Sequence, residues 1–304
     1  LKEILRRAFS EGRKVLTQPE SLRFLEAYQI PIIKTMIART SDEAEAVASA
    51  LGYPVVMKTL SPQITHKSKA ESVILNVWSP AEVKMFFNEL AEKVKSYSPE
   101  AEFQGVVIQP MVRKRGYELL VGSKKDPQFG SVIVFGTGGV ATELLQDVSI
   151  GLPPLDQVLA RRLMEGTKIY RLSESSGFRP NFKLLEEILV KFSQLVMDFP
   201  EIKEVDVNPL LVDESSAVAV DARIVIEAEK ILREVQPHEH LVIAPYPKKY
   251  VTQWTLKNGT PVVLRPIKPE DETFLSELYC SLSEETMRLR FFQVFREVPH
   301  KTLT

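Results

Sequence analysis

Residues 204–226 read EVDVNPLLVDESSAVAVDARIVI, and this stretch carries the strongest structural signal in the chain. Two apolar runs flank the polar segment DESS, which is typical of a hairpin loop. If DESS is that loop, Val212 pairs with Ala217. Counting back from this pair places Asn208 directly opposite Asp221. Directly opposed residues have Cβ atoms about 5 Å apart, so the stretch predicts that these two polar side chains meet on one sheet face.

A second carboxylate belongs to the same face of the predicted hairpin. Asp206 lies two positions before Asn208, and alternate residues of a strand point to the same side of the sheet. Two carboxylates and an amide oxygen form a hard-oxygen cluster that suits Mg²⁺ held together with substrate phosphates. The same pattern also describes the solvated face of an ordinary hairpin. The residues of the hairpin leave both interpretations open.

Helix and strand signals alternate along the chain without the regular spacing of βαβ units. Capping motifs predict helices that begin at Thr17, Thr40 and Ser79, and an apolar stripe predicts a long helix over 185–199. Short apolar runs predict strands at 54–58, 72–77, 105–111, 117–121, 131–135, 204–212 and 217–226. The pattern favours an α+β fold with mixed or antiparallel sheets.

Two further segments could bind an anion. Lys58 ends an apolar strand, where it could reach a phosphate or could simply be a charge at a strand end. The turn Gly136-Thr137-Gly138-Gly139 follows another strand, and glycines let backbone N–H groups approach an anion closely. The turn lacks the spacing of a P-loop or of a dinucleotide-binding fingerprint.

His66 lies in a polar loop and allows two interpretations. An exposed loop histidine is commonly inert, but a neutral imidazole can also accept a phosphoryl group near pH 7. A catalytic pair of cysteine and histidine is not indicated, because the single cysteine, Cys280, belongs to a separate C-terminal segment.

Composition excludes several classes of protein. The chain is 44% apolar and 26% charged with a net charge of -1, so no overall basic field indicates a nucleic-acid partner. No apolar run reaches the roughly 20 residues that span a bilayer, and charges interrupt the N-terminus, so neither a membrane span nor a secretory signal is predicted. A single cysteine fits a reducing cytoplasm and makes a cysteine-based zinc site implausible.

The composition of the chain changes after residue 230, where prolines become frequent and the apolar periodicity ends. Residues 231–250 contain prolines at 237, 245 and 247 and predict an extended linker between a domain at 1–230 and a unit at 251–304. The C-terminal unit predicts a strand at 262–266 and a helix from about Glu270. Because the chain begins with Leu and this unit stops early, we expect a piece of a longer protein.

Taken in order, these segments resemble the ATP-grasp module of NDP-forming acyl-CoA synthetases, including synthetases fused to a GNAT-type acetyltransferase. The resemblance covers about residues 1–230. The matching runs are YPVVMK at 53–58, SPQITHKS at 61–68, VIQPM at 107–111, GYEL at 116–119, DPQFG at 126–130, FGTGG at 135–139 and EVDVNPL at 204–210. The resemblance implies an ATP-grasp fold, in which two α+β lobes clasp a nucleotide. Residues 251–304 resemble the opening of a GNAT domain, without the later glycine-containing loop that binds acetyl-CoA.

The resemblance implies residues that bind ATP or ADP. Lys58 would hold the nucleotide phosphates. The strand that carries Gln109, Pro110 and Met111 would lie on the adenine side, and Glu118 would lie near the ribose.

A metal site and a glycine turn complete the implied nucleotide site. Asn208 and Asp221 match the residues that bind Mg²⁺, and the hairpin geometry adds Asp206 to them. Gly138 and Gly139 are expected to contact the nucleotide.

The implied catalytic residues are His66 and Glu143. His66 matches the histidine that carries phosphate in some members, and Glu143 matches the acid of the glycine turn that faces a phosphohistidine. The implied reaction converts acyl-CoA, ADP and phosphate into a carboxylic acid, CoA and ATP. The implied partners are a CoA-binding domain and a phosphohistidine domain, which precede this module in fused versions, and the full protein is expected to form a homo-oligomer.

One departure from the family pattern separates two hypotheses of function. Glu71 and Ser72 stand where the family has a pair of glycines in a phosphate-binding loop, so we expect weakened ATP binding. The first hypothesis is an enzyme module that binds Mg·ATP and transfers a phosphoryl group. The second is a degenerate regulatory module that controls a fused protein-lysine acetyltransferase. The retained site residues favour the first hypothesis.

Overall fold

The computed structural model describes residues 1–64, 72–112, 116–139, 146–175, 179–231, 240–243, 250–268 and 271–292. The chain divides into two compact units, residues 1–244 and 245–304. In the described parts of the chain, no helix is long and apolar enough to cross a bilayer.

Residues 36–110 of the first unit form a small lobe. Its strands are β1 (Met36–Ala38), β2 (Val55–Thr59), β3 (Val73–Val77) and β4 (Val106–Pro110), and its helices are α3 (Ser41–Leu51) and α4 (Pro80–Tyr97). The strands pair antiparallel in the order β1-β4-β2-β3. Helices α3 and α4 cover one face of this sheet, where Ala48, Leu90, Met57 and Ile108 are fully buried.

Residues 2–27 and 117–231 form a large lobe around an antiparallel sheet. Its strands are β5 (Tyr117–Asp126), β6 (Gly130–Thr137), β7 (Val148–Gly151), β8 (Ile202–Val212), β9 (Ala217–Ala219) and β10 (Ala222–Ile226). Its helices are α1 (Lys2–Ser10), α2 (Gln18–Ala27), α5 (Gln157–Glu165), α6 (Lys168–Ser175), α7 (Phe182–Asp198) and α8 (Ala228–Ile231). The sheet order is β10-β8-β5-β6-β7, with β9 also paired to β8.

Helix α7 is the central packing element of the large lobe. The stripe that contains Leu185, Leu189 and Phe192 is buried, as its helical spacing predicts. On β8, Val205 and Val207 are buried in the same core, so Asp206 and Asn208 point to the opposite face of the sheet. The α+β prediction with antiparallel sheets is confirmed.

The predicted helix starts are confirmed by their hydrogen bonds. Thr40 Oγ1 accepts from Glu43 N at 3.2 Å, and Ser79 Oγ accepts from Glu82 N at 3.3 Å. At α2 the Glu20 carboxylate accepts from the Thr17 backbone N–H at 2.8 Å.

One strand prediction needs correction, and two strands of the first unit were not predicted. The predicted strand 217–226 is interrupted at Val220 and Asp221, which lie between β9 and β10. The strands β1 and β7 were not predicted, because β1 has three residues and β7 has four, too few to show alternation.

The start of α2 is held by an ion network around the Glu20 carboxylate. Arg13 donates to it at 2.8 and 3.1 Å, and Arg7 donates at 2.8 Å. Burial by itself raises the pKa of Glu20. The hydrogen bonds from Arg13, from the Thr17 backbone and from Arg7 lower it more, so the pKa is about 2.

We predict that Glu20→Gln lowers the free energy of unfolding by about 1–2 kcal/mol at pH 7, because Arg7 and Arg13 lose their bonds to the Glu20 carboxylate, although Arg13 keeps its pair with Glu11. The Glu20 pKa is lowered on folding, so its stabilisation is present above pH 4.5 and is lost as the pH falls towards 2. The difference between wild type and variant should therefore shrink below pH 4.5. Urea unfolding across this range measures it, with Glu26→Gln on the exposed face of α2 as control. Equal losses in both variants would contradict the prediction.

The second unit contains a hairpin and two helices. Its strands are β11 (Thr252–Thr255) and β12 (Pro261–Leu264), and its helices are α9 (Glu272–Ser281) and α10 (Glu284–Phe291). The predicted strand and helix are present, but a hairpin followed by helices occurs in many folds. The likeness of this unit to an acetyltransferase therefore stays a prediction.

The predicted linker 231–250 is not extended throughout. His240 is buried, its Nε2 lies 2.9 Å from the Val196 carbonyl oxygen, and its own carbonyl accepts from Ser131 N at 3.2 Å. His240 and Leu241 therefore pack on the large lobe, where the imidazole has a buried partner and Leu241 pairs with Gly130. The division between the two compact units, at residue 245, falls inside the predicted linker.

Candidate nucleotide and metal site

A cleft of about 870 Å³ lies between the sheets of the small and large lobes. Many of the residues singled out from the sequence line it: Lys58, Gln109, Pro110, Met111, Glu118, Gly139, Asp206, Asn208 and Asp221. These residues come from both lobes and are spread over more than half of the chain. The fold, rather than closeness in sequence, brings them to one cleft.

Lys58 crosses from the small lobe towards the large lobe. Its side chain is 6% exposed, and its Nζ donates to the Val220 carbonyl oxygen at 3.2 Å and lies 3.6 Å from Asp221 Oδ2. Burial lowers the pKa of Lys58, and the Asp221 carboxylate opposes that shift. A buried ammonium with one carboxylate at this distance is well placed to bind a phosphate.

The hairpin has the predicted register. Val212 pairs with Ala217, and beyond the interruption Val207 pairs with Ala222. Both pairs follow the count that sets Asn208 opposite Asp221, and Asn208 and Asp221 both line the cleft.

Asp206 lies on the cleft side of the hairpin, opposite Arg223. Burial is the largest cause that raises its pKa to about 6, and the Glu204 and Asp221 carboxylates add to the rise. Arg223 opposes it, while donating to Glu204 Oε1 at 2.7 Å. Burial and, to a smaller extent, the neighbouring carboxylates disfavour the charged form of Asp206, and a bound cation would offset both.

The donor set fits Mg²⁺ that is shared with substrate phosphates. Asp206, Asp221 and Asn208 offer oxygen atoms, the donors that this ion prefers. Asn208 Oδ1 accepts from Gly139 N at 2.8 Å, which leaves its second lone pair for a ligand. Within the ranges that the structure describes, no three Asp, Glu, His or Cys side chains converge as a preformed metal site. The remaining ligands would have to come from phosphates and water.

The glycine turn lies between β5 and the hairpin. Gly138 N donates to the Glu118 carbonyl oxygen at 2.8 Å, and Gly139 has a φ of +65°. A Cβ at Gly139 would overlap the Glu118 carboxylate, and one at Gly138 would overlap the Leu119 backbone. Gly138 is not among the residues that line the cleft, so its predicted nucleotide contact stays a prediction.

We predict that Gly139→Ala destabilises the protein by about 1–2 kcal/mol, because an L-residue at positive φ is strained. The Glu118 carboxylate that the new methyl meets is the end of an exposed side chain and can move aside at small cost. Thermal unfolding measures the effect. Gly12→Ala is the matched control, because Gly12 also has a positive φ, +70°, but has open space around its Cβ position. We expect similar losses of stability in the two variants, and a clearly larger loss for Gly139→Ala would show that the Glu118 side chain cannot move aside.

The strand predicted for the adenine side lines the cleft with a buried amide. Gln109 Nε2 donates to Thr35 Oγ1 at 2.9 Å and to the Val220 carbonyl oxygen at 3.3 Å. Its Oε1 is buried and has no hydrogen-bond partner among the described residues. Met111 N donates to the Pro54 carbonyl oxygen at 2.9 Å, which anchors the end of β4 to the start of β2. Glu118 is exposed at the cleft wall.

Three of the predicted residues lie outside the described residues: His66, Glu71 and Glu143. Their predicted roles stay predictions. Ser72 is described and fully buried, and its carbonyl accepts from Thr59 N at 3.0 Å. Ser72 therefore belongs to the pairing of β2 with the chain before β3.

Gln18 and Arg223 are among the polar residues of the cleft that sequence reasoning did not assign to the site. Gln18 follows a helix cap, so its position indicated only the start of a helix. Arg223 lies two residues after Asp221, and the alternation of a strand would have placed it on the cleft face.

Comparison with known proteins gives concordant matches. Residues 7–226 match the family model of the ATP-grasp domain. The beta subunit of ADP-forming acetate–CoA ligase I from Pyrococcus furiosus is 39% identical over 227 residues, covering 74% of this chain and 97% of that protein. The dinucleotide-forming acetyl-coenzyme A synthetase 1 of Candidatus Korarchaeum cryptofilum, solved with coenzyme A, Ca-AMPCP and HgCl+, matches with a TM-score of 0.70 and 34% identity, covering 74% of this chain and 99% of that one.

A second structure of the Korarchaeum enzyme contains coenzyme A and Mg-AMPPCP, with its phosphohistidine segment pointing towards the nucleotide-binding site. It matches with a TM-score of 0.63 and 30% identity, again over 74% of this chain and 99% of that one.

Proposed function

The chain belongs to the ATP-grasp domain family, together with the beta subunits of ADP-forming acetate–CoA ligases, and we propose that it is the nucleotide-binding part of an ADP-forming acid–CoA ligase. ATP or ADP binds between the lobes with Mg²⁺. The observation that carries this proposal is the convergence of Lys58 from the small lobe with Asp221 from the large lobe in one cleft.

Each side of the cleft has a part in the proposed nucleotide site. Lys58 binds the phosphates, and Asp206, Asn208 and Asp221 hold Mg²⁺ against them. When bound, the ion neutralises charge on the phosphate oxygens during transfer. Gln109 lies on the wall where we place the base, and its buried Oε1 is able to accept a hydrogen bond there.

The proposed reaction converts acyl-CoA, phosphate and ADP into a carboxylic acid, CoA and ATP, and it is reversible. The phosphoryl group travels on a histidine between the acyl-CoA site and the nucleotide. We assign that carrier role on this chain to His66, and to Glu143 the role of facing a phosphohistidine. The CoA-binding function and a first phosphohistidine, which exchanges its phosphoryl group with the acyl-CoA site, come from a partner subunit or domain, in line with the phosphohistidine segment of the Korarchaeum enzyme.

Calorimetric titration of the 304-residue chain tests the nucleotide site. We expect saturable binding of ATP and ADP near one per chain, tighter with Mg²⁺ than with EDTA. Addition of the partner subunit and radiolabelled ATP should then yield acid-labile, base-stable phosphate on protein, the stability expected of phosphohistidine. If neither ATP nor ADP binds saturably, the proposed function is wrong.

The regulatory alternative gains no support from the described residues. Lys58, Asp206, Asn208 and Asp221 are all present and lie together at the cleft. The expected weakening of ATP binding by Glu71 and Ser72 is tested by the same titration with Glu71→Gly and Ser72→Gly combined.

A further inference from the structure

The carbonyl oxygen of Val220 is the meeting point of three side-chain donors. Lys58 Nζ donates to it at 3.2 Å, Gln109 Nε2 at 3.3 Å and Gln18 Nε2 at 3.2 Å. The three donors come from β2, β4 and α2. Val220 directly precedes Asp221, so whatever holds this carbonyl also sets the position of that carboxylate.

Three donors are more than one carbonyl oxygen can satisfy well. A carbonyl oxygen has two lone pairs, and all three distances exceed the usual 2.9–3.0 Å of such bonds. Lys58 also faces Asp221, and a phosphate in the cleft would give its ammonium a stronger acceptor. With nucleotide bound, the two glutamine amides would then remain as the donors to Val220.

Gln18 differs from the other two donors in its location. Lys58 and Gln109 belong to the small lobe, whereas Gln18 belongs to the large lobe, like Val220 and Asp221. The network around Glu20 anchors the first turn of α2, which contains Gln18. Just before it, Leu16 N donates to the Ile224 carbonyl oxygen at 2.9 Å, which ties the same segment to β10. The chain is therefore anchored on both sides of Gln18, at Leu16 and at Glu20. Gln18 itself is buried, with 6% of its surface exposed.

The Val220 carbonyl needs side-chain donors because it lies in the break between β9 and β10. Val220 N donates to the Pro209 carbonyl oxygen at 3.1 Å, but Val220 and Asp221 lie outside both strands. The Val220 carbonyl turns into the cleft rather than into the sheet, so side chains replace a neighbouring strand as its donors.

We propose that Gln18 is a positioning residue for the metal site: its amide holds the Val220 carbonyl and thereby keeps Asp221 in place to bind Mg²⁺. This inference rests on the proposed function, because it concerns the metal that accompanies the nucleotide. Gln18 acts through Val220 and is assigned no contact with the metal.

The test measures how much Mg²⁺ the chain needs to bind the analogue AMPPCP. Two variants separate the amide donor from side-chain bulk. Gln18→Met keeps the length but removes the donor, and Gln18→Asn keeps the amide but withdraws it by one methylene. The control is Gln194→Met on the exposed face of α7, where the amide of Gln194 donates along its own helix, to Asp198 at 2.6 Å.

We expect both Gln18 variants to raise the Mg²⁺ concentration for half-maximal AMPPCP binding by about three- to tenfold, the size of one lost hydrogen bond. AMPPCP binding in EDTA should change less than twofold, and Gln194→Met should match the wild type. A purely structural role would weaken binding equally with and without Mg²⁺, or lower the thermal midpoint alone, and either result overturns the proposal.

The outcomes also separate this inference from the proposed function. If the wild type binds Mg·AMPPCP and both Gln18 variants keep its Mg²⁺ requirement, the positioning role is wrong while the proposed function stands. If the wild type does not bind AMPPCP at all, both are wrong. Should Gln18→Met fail to fold, Gln18→Asn decides the question, because asparagine is well tolerated near a helix start.

Discussion

Lys58→Met is expected to weaken the binding of ATP and ADP by about 1.5–3 kcal/mol, or roughly 10- to 150-fold in the dissociation constant. The loss corresponds to one charge-assisted hydrogen bond to a phosphate in a buried site. Methionine has a similar length and fills the same buried space, so the cleft should keep its shape. Calorimetric titration of nucleotide into wild type and variant measures the difference.

Stability distinguishes a binding role for Lys58 from a structural one. Burial lowers the Lys58 pKa, which shows that folding brings its charge into an unfavourable environment. Replacing it with an apolar side chain removes this burial cost but also the contacts of Lys58 with Asp221 and the Val220 carbonyl. The two effects oppose each other, so the free energy of unfolding of the ligand-free protein should change little. Lys84→Met is the control, because Lys84 forms surface ion pairs with Asp42 and Glu45. Unchanged nucleotide affinity in Lys58→Met would exclude the phosphate-binding role.

Asp221→Asn is expected to slow Mg²⁺-dependent phosphoryl transfer by about 10²–10³-fold, because it removes a full negative charge from the proposed metal site. Asparagine keeps the size of the side chain and its ability to accept from Ala222 N, a bond of 2.9 Å in the wild type. The fold around the break between β9 and β10 should therefore persist. The rate is measured with the partner subunit, as the appearance of ATP from acyl-CoA, phosphate and ADP.

A second measurement on Asp221→Asn, nucleotide binding without Mg²⁺, tests whether the loss of activity comes from the metal site. In EDTA the variant should bind ATP no more weakly than the wild type, because a carboxylate near the phosphates repels them when no cation lies between. Glu214→Gln, at the exposed tip of the same hairpin, is the control and should leave both measurements unchanged. Equal losses with and without Mg²⁺ would show that Asp221 supports the cleft rather than the metal.

Local patterns in the sequence were sufficient to predict much of the site's framework. The Thr40 and Ser79 caps, the apolar stripe of α7 and the register of the hairpin are confirmed, because each depends on residues close together in the chain. The assignment of Lys58 to the same site came instead from the family resemblance. The roles of His66 and Glu143 stay predictions.

What the sequence by itself determined was which faces of each strand and helix are apolar, and so where polar side chains such as Asp206 and Asn208 had to point. Only the tertiary structure decided that the strand after the hairpin breaks at Val220. The same holds for Lys58, which reaches the Val220 carbonyl from 162 positions away, and for Gln18, which reaches it from 202. Periodicity encodes a residue's own face, whereas these contacts depend on how two sheets and a helix pack around one cleft, which no local pattern contains.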